Sequence, residues 1–257
     1  MRRETFPASG PLRLEVKVPA GEVEVEAAET GEAVVELESL GRDDRAVEEA
    51  RVDLRGDELR VEVRDRRLSS AEVRLHVAAP EGSTLTSATG SADVSTRGSL
   101  GDAELKTASG DLELERVANL RVKAASGDVR VEHVDGDARV QIASGDLELA
   151  HVLGQAEVAT ASGDVRVGKA GAGLKVQTAS GDQEIGSVAE GPVELTSASG
   201  DVRVGIRRGS RVFLDVRSAS GDVDSELEVG DDPGDDEGPL IELKVTTMSG
   251  DVSLVRA

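Results

Sequence analysis

Residues 126–144 read SGDVRVEHVDGDARVQIAS, and this stretch determines the fold because it contains one short pattern twice. The pattern is nine residues long and opens with Gly-Asp, first at Gly127 and again at Gly136, with small or aliphatic residues at its third, fifth and eighth positions. The Ser-Gly-Asp triplet recurs at successive spacings of 17, 18, 18, 18, 19, 21 and 29 residues, beginning at Ser109, Ser126, Ser144, Ser162, Ser180, Ser199, Ser220 and Ser249. The chain is therefore built on an 18-residue repeat of two nonapeptides.

Each nonapeptide contains an apolar–charged–apolar segment, which is typical of a short strand with one buried face. Gly-Asp supplies the turn, because Gly adopts positive φ and Asp accepts hydrogen bonds from nearby backbone N–H groups. Nine residues leave no room for a crossover helix, and a three-sided left-handed helix would need an aliphatic residue at every sixth position, which the sequence lacks. The repeat predicts an all-β fold, a single-stranded parallel β-solenoid with 18 residues and two strands per turn.

Stacking the repeats aligns equivalent residues in columns, three of which are predicted to point into the core. The first contains Leu112, Val129, Leu147, Val165, Gln183, Val202, Val223 and Val252. The second contains Leu105, Val122, Val140, Val158, Val176, Leu195, Val216 and Val245. The third is small, and its larger last member is predicted to cap the core partly: Ala108, Ala125, Ala143, Ala161, Ala179, Ala198, Ala219 and Met248.

One outward column alternates in charge at every turn, through Glu113, Arg130, Glu148, Arg166, Glu184, Arg203 and Asp224. Neighbouring strands lie about 4.8 Å apart, so each charge would sit between two of opposite sign. A slip by one turn would align like charges, and we interpret the column as control of the strand register. The matching column on the other face is less regular: Glu104, Arg121, Arg139, Glu157, Lys175, Glu194, Asp215 and Lys244.

The two ends of the chain are less regular. Residues 1–85 are predicted to form an irregular β region that contains the first turns and the cap of the same solenoid, and a separate small β-domain is the alternative. Residues 86–257 are predicted to form the regular solenoid repeats. Ser218–Leu243 holds ten Asp or Glu residues and no Lys or Arg, and residues 230–239 within it are predicted to form an acidic loop that interrupts the last turn.

Composition excludes several classes of function. The 257 residues include no Cys, Trp or Tyr and only two Phe, which excludes disulfides and thiol chemistry and removes aromatic platforms for sugars and bases. The net charge of −21 argues against a nucleic-acid binder. No apolar segment follows Arg2 and Arg3, and no apolar run approaches the roughly 18 residues of a membrane helix. The sequence predicts a cytoplasmic protein without a membrane span, and secretion stays open as the alternative.

No catalytic, cofactor-binding or metal-binding residues and no cofactor are predicted. The Asp residues of the Ser-Gly-Asp triplets are predicted to stack into a ladder of turn carboxylates, because a calcium solenoid would need the denser pattern Gly-Gly-x-Gly-x-Asp. His133 and His151 share one column in consecutive turns and would lie about 5 Å apart. Their column neighbours Arg116 and Lys169 would repel a cation, so we interpret both as exposed surface histidines.

The chain resembles a bacterial β-strand-repeat family of unknown function whose members are described as candidate adhesins. The resemblance rests on the motifs in Thr107–Leu114, Ala124–Val131 and Thr160–Val167, and on the run Val73–Ser83 before the first regular turn. It covers nearly the whole chain and implies a single-stranded, right-handed β-helix, but it implies no activity.

The leading hypothesis is a non-enzymatic β-solenoid scaffold, or adhesin-like binding protein, that presents a rigid charged surface to a protein partner. The alternatives are a polysaccharide-acting β-helix enzyme and an acidic solenoid that mimics DNA. End-to-end stacking of copies is a further option that the sequence leaves open.

Overall fold

The structure is a computed structural model that describes residues 1–41, 44–64, 72–227 and 238–257. These residues contain twenty-three strands and one four-residue helix, α1 (Arg45–Glu48). The strands are β1 (Arg2–Pro7), β2 (Arg13–Ala28), β3 (Glu32–Ser39), β4 (Arg51–Arg55), β5 (Glu58–Glu62), β6 (Glu72–Pro80), β7 (Thr84–Leu100), β8 (Ala103–Thr107), β9 (Leu112–Val117), β10 (Leu120–Ser126), β11 (Val129–Val134), β12 (Ala138–Ser144), β13 (Leu147–Val152), β14 (Ala156–Ser162), β15 (Val165–Ala170), β16 (Leu174–Ser180), β17 (Gln183–Val188), β18 (Gly191–Ser199), β19 (Val202–Ile206), β20 (Arg211–Ser218), β21 (Val223–Ser225), β22 (Leu240–Ser249) and β23 (Val252–Arg256).

The chain divides into two compact units, Met1–Val131 and Glu132–Ala257, and the division falls inside β11. In the second unit, alternate strands pair in parallel and form two ladders. One ladder runs β12–β14–β16–β18–β22–β20, and the other runs β13–β15–β17–β19–β23–β21. The all-β parallel solenoid predicted from the repeat is confirmed.

The first unit starts with a different strand arrangement. The long strand β2 pairs in parallel with β5, β6 and β7, whereas β1–β3, β3–β6 and β4–β5 are antiparallel pairs. Arg2 Nη1 donates hydrogen bonds to the carbonyl oxygens of Val47 at 3.2 Å and Ala50 at 2.6 Å, which ties β1 to the end of α1. Parallel pairing by repeats then continues from β7 to β8 and β9, and from β8 to β10. The division of the chain at residue 85 stays a prediction, and that residue lies inside β7.

The two aliphatic columns form the core. In the second column, Leu105, Val122, Val140, Val158, Val176, Leu195 and Val245 are at most 1% exposed, whereas Val216 in the last turn is half-buried. In the first column, Leu112, Val129, Leu147, Val165, Val202 and Val252 are at most 2% exposed. The polar member of the first column, Gln183, is also buried. Its Nε2 donates hydrogen bonds to Thr178 Oγ1 at 2.9 Å and to the carbonyl oxygen of Thr196 at 3.0 Å.

The predicted inward column of alanines is wrong. Ala108 and its equivalents are exposed, and the residue before each of them is buried instead, except that Ser218 before Ala219 in the last turn is half-buried. This buried column contains Thr107, Ala124, Ile142, Thr160, Thr178, Ser197 and Thr247. The reason is strict alternation along the strand, since Thr107 lies two residues after the buried Leu105 and therefore points to the same side. Met248 is 67% exposed and does not cap the core.

The order of the last turns also differs from the expected chain order. Strand β22 lies between β18 and β20, and β23 lies between β19 and β21, so the C-terminal turn is inserted into the stack. As a result β20 and β21 form the last turn, and Val223 of the predicted core is 47% exposed. The predicted acidic loop, residues 230–239, lies outside the described residues except for Gly238 and Pro239.

Candidate functional surface

The Ser-Gly-Asp corners carry a continuous ladder of hydrogen bonds in each unit. In the first unit, the carboxylate Oδ1 of Asp93 accepts the backbone N–H of Asp111, and that of Asp111 accepts the N–H of Asp128, both at 2.9 Å. In the second unit the same bond repeats at 2.8–3.0 Å along Asp146, Asp164, Asp182, Asp201, Asp251 and Asp222. The predicted ladder of turn carboxylates is confirmed. Asp251 lies between Asp201 and Asp222 in this ladder, because the C-terminal turn is inserted into the stack.

The ladder gives these aspartates a structural role. One oxygen of each bonded carboxylate is oriented by a backbone N–H of the next turn, which fixes the spacing of the corners. In the part of the chain that the structure describes, no group of three or more His, Asp or Glu side chains is arranged to hold a metal ion. The corners form a regular acidic edge of hydrogen-bonded carboxylates.

The outward charge column of β13, β15, β17 and β19 has the predicted alternation. Strand pairing places Glu148 beside Arg166, Arg166 beside Glu184, and Glu184 beside Arg203. Arg166 Nε lies 3.6 Å from the Glu184 carboxylate. The predicted step from Arg203 to Asp224 is wrong, because Ser253 of the inserted strand β23 lies between them.

The column on the other ladder is more regular in the structure than in the sequence. It follows the order Arg139, Glu157, Lys175, Glu194, Lys244 and Asp215, and it alternates in charge at every step. Lys175 Nζ lies 2.9 Å from the Glu194 carboxylate, and Lys244 Nζ lies 3.8 Å from it. The hydrogen bond from Lys175 lowers the pKa of Glu194. Insertion of Lys244 thus separates Glu194 from Asp215, two acids that chain order would place side by side.

The first unit carries a network of paired charges on β2, β4, β5 and β6. Glu15 contacts Lys17 Nζ at 2.7 Å and also pairs with Arg60, and the hydrogen bond from Lys17 is the main cause that lowers the pKa of Glu15. Arg74 Nε donates to the Glu22 carboxylate at 2.7 Å and lowers its pKa in the same way. Sequence reasoning missed this network, because Arg60 and Arg74 lie on strands that the 18-residue period does not relate to β2.

His133 and His151 come together as their shared column predicts. Their ring centroids lie 4.8 Å apart and the ring planes differ by 6°, so the imidazoles stack. Both residues are half-buried rather than exposed, which corrects the interpretation from sequence. Lys169 is the register neighbour of His151, as predicted. The pair is a packing contact between two consecutive turns of the repeat.

Comparison with known proteins adds a family to this geometry. The family model described as Toastrack DUF4097 matches residues 12–255. The chain belongs to the Toastrack DUF4097 family. This confirms the resemblance to a bacterial β-strand-repeat family, which rested on the Ser-Gly-Asp motifs.

Solved structures are similar to this chain at low sequence identity. A candidate lipid-binding protein from Parabacteroides distasonis is 12% identical with a TM-score of 0.54, and the alignment covers 99% of this chain and 96% of that chain. A candidate adhesin from the same species is 10% identical with a TM-score of 0.46, over 99% of this chain and 96% of that chain. No curated protein matches the chain. The first likeness shows a common fold and nothing about a ligand.

The described residues of this Toastrack chain form extended faces on the two strand ladders. Each face is a ladder of paired strands with charged side chains at regular spacing, and the backbone pairing fixes the positions of these side chains. None of the described helical residues form a segment long and apolar enough to cross a membrane.

Proposed function

We propose that this chain is a non-enzymatic β-solenoid scaffold that binds a protein partner through its charged faces, in the manner of an adhesin. The observation that carries the proposal is the outward column of alternating charge on the second unit, in which the exposed residues Glu148, Arg166, Glu184 and Arg203 follow one another in register. Such a face is rigid and presents charges at a fixed spacing. It can therefore recognise a complementary surface with little loss of conformational entropy.

The charged side chains of this column are exposed along its length and do not converge on one point. Arg166 and Glu184 are each more than half exposed at the side chain, at 53% and 57%. Exposed pairs of this kind contribute little to folding stability, about 0–1 kcal/mol each. They contribute more to the rate and the specificity of partner binding when the partner displaces the water around them.

Affinity capture with two matched charge-neutralised variants tests the proposal. The whole protein is immobilised, incubated with an extract of its source cells at low and high salt, and the retained proteins are identified by mass spectrometry. Arg166→Gln with Arg203→Gln removes two cations from one ladder, and Arg139→Gln with Lys175→Gln removes two from the other.

We expect a defined protein to be retained in a salt-dependent way and lost with one of the two double variants, which identifies the binding face. Retention of the same proteins by both double variants would contradict binding through the charged faces. Hydrolysis or cleavage of a polysaccharide by the purified protein would contradict the non-enzymatic assignment.

A further inference from the structure

The last turn of the second unit exposes positions that are buried in every turn before it. In the described part of the chain, β20 pairs only with β22, and β21 pairs only with β23. Val223 on β21 is 47% exposed, whereas its register neighbour Val252 and the next residue in the column, Val202, are each 1% exposed. Within the described ranges, the stack therefore ends on a strand edge without a further paired strand, and a core position is partly exposed there.

The contacts that join one turn to the next stop at the same edge. Each earlier carboxylate of the corner ladder accepts a backbone N–H, and the last such bond runs from Asp222 N–H to Asp251 Oδ1 at 2.9 Å. Among the described residues, none donates a hydrogen bond to the Asp222 carboxylate in turn. Asp224 ends the outward column of this ladder as an exposed acid.

These three positions define what would fit against β21. An added parallel strand would place an apolar side chain over Val223, a cation beside Asp224, and a backbone N–H on the Asp222 carboxylate. The chain itself contains such a strand in β15. There Val165 lies beside Leu147, Arg166 lies beside Glu148, and the Asp164 N–H donates to the Asp146 carboxylate. The required pattern is therefore an extended segment in which apolar residues alternate with Arg or Lys.

We propose that the edge of β21 binds an extended, basic segment of the protein partner as an additional parallel strand. This inference rests on the proposed function and assigns it a docking edge and a partner chemistry. A second copy of this chain that pairs through the same edge fits poorly, because Asp224 of β21 and the flanking Asp222 and Glu226 would meet the same acids of the other copy. Residues 218–243 contain no Lys or Arg to relieve that repulsion.

A short peptide that copies the chain's own repeat is the probe. A fluorescently labelled peptide with the sequence of residues 160–168, TASGDVRVG, carries the corner and the first strand of a repeat. The control peptide differs from it only by Arg166→Glu. Binding of both peptides to the whole protein is followed by fluorescence anisotropy, and sedimentation velocity of the protein alone reports self-association.

We expect the Arg peptide to bind roughly three- to tenfold more tightly than the Glu peptide, since one cross-strand attraction becomes a repulsion. Asp224→Arg should reverse this preference. Glu113→Arg makes the same change of charge on an exposed outward residue of the first unit and should leave the preference unchanged.

Three results would overturn the docking edge: equal binding of the two peptides, no binding of either, or a preference that Asp224→Arg leaves intact. Self-association that Asp224→Arg enhances would also overturn it, because the edge would then be a contact between copies. If the peptides fail while affinity capture still retains a partner through Arg166 or Lys175, only the docking edge is wrong and the proposed function stands.

Discussion

At the scale of single residues, the corner glycines decide whether one turn can stack on the next. Gly163 has φ of +123°, a conformation that side chains with a Cβ rarely adopt. A Cβ on Gly163 would also overlap the carbonyl oxygen of Gly145 in the preceding turn. The residue is therefore required both by the turn and by the close approach of two backbones.

Gly163→Ala is expected to lower the free energy of unfolding by about 1–3 kcal/mol, because the backbone must shift in a ladder that continues on both sides. Gly31→Ala is the control, since its Cβ would meet no atom within 4 Å and its φ is not positive. Chemical denaturation of the two variants measures the difference. Equal losses would show that the corner does not need glycine.

At the scale of the strand, alternation between buried and exposed side chains separates neighbours that look similar in sequence. Val140 on β12 is fully buried beside Val158, whereas the adjacent Arg139 is exposed and its Nε donates to the Glu157 carboxylate at 2.9 Å. The two residues differ by one position and by their side of the strand.

Val140→Asp is expected to cost about 4 kcal/mol or more, because it places a carboxylate without a partner between two ladders. Arg139→Asp is expected to cost no more than about 2 kcal/mol, since it replaces an exposed ion pair by an exposed repulsion beside Glu157. Thermal unfolding followed by circular dichroism compares the variants. A similar fall in Tm for both would show that the inward and outward assignment of β12 is wrong.

Strand alternation also explains where sequence reasoning succeeds and fails. The two aliphatic columns could be predicted because the repeat aligns Val or Leu at nearly every turn. The column of Thr107, Thr160 and Thr178 could not be found by apolarity, because alanines next to it look more like core residues. Gln183 breaks the aliphatic pattern, and its hydrogen bonds across strands explain why a polar residue is tolerated there.

At the scale of the whole molecule, order along the chain and order in the stack are different properties. The period predicts stacking as long as the spacing stays close to 18 residues, but the final spacing of 29 residues lets the C-terminal turn return to an inner position. The charges of Glu194, Asp215 and Lys244 are the sequence signal for this order, because only insertion of Lys244 separates the two acids. Candidate binding positions at β21 could not be predicted without that order.

The paired carboxylates should make stability depend on pH below neutrality. Hydrogen bonds from basic side chains lower the pKa values of Glu15, Glu22, Asp53, Asp57 and Glu104 in the first unit and of Glu194 in the second. A carboxyl whose pKa is lower in the folded state stabilises the fold above its unfolded pKa, near 4. That stabilisation is lost as the pH falls through the folded pKa.

Arg74→Gln is expected to weaken this pH dependence, because it removes the hydrogen bond that lowers the pKa of Glu22. The measurement is Tm between pH 6 and pH 2, values chosen to bracket the carboxyl pKa range. The fall in Tm across this range should be smaller for the variant than for the natural chain. A fall of the same size would show that the pair with Arg74 does not couple Glu22 to folding.

Disulfide trapping tests the inserted C-terminal turn most directly, and with it the open edge at β21. The natural chain has no Cys, so any disulfide within the chain must join the two introduced cysteines and shows that they lie close together. Glu194 and Lys244 are register neighbours on β18 and β22, whereas Glu194 and Asp215 are separated by β22. Adjacent strands bring the Cα atoms to about 5 Å, within disulfide range, and strands two apart do not. We predict that Glu194→Cys with Lys244→Cys forms a disulfide under mild oxidation and that Glu194→Cys with Asp215→Cys does not. The opposite result would show that the turns stack in chain order.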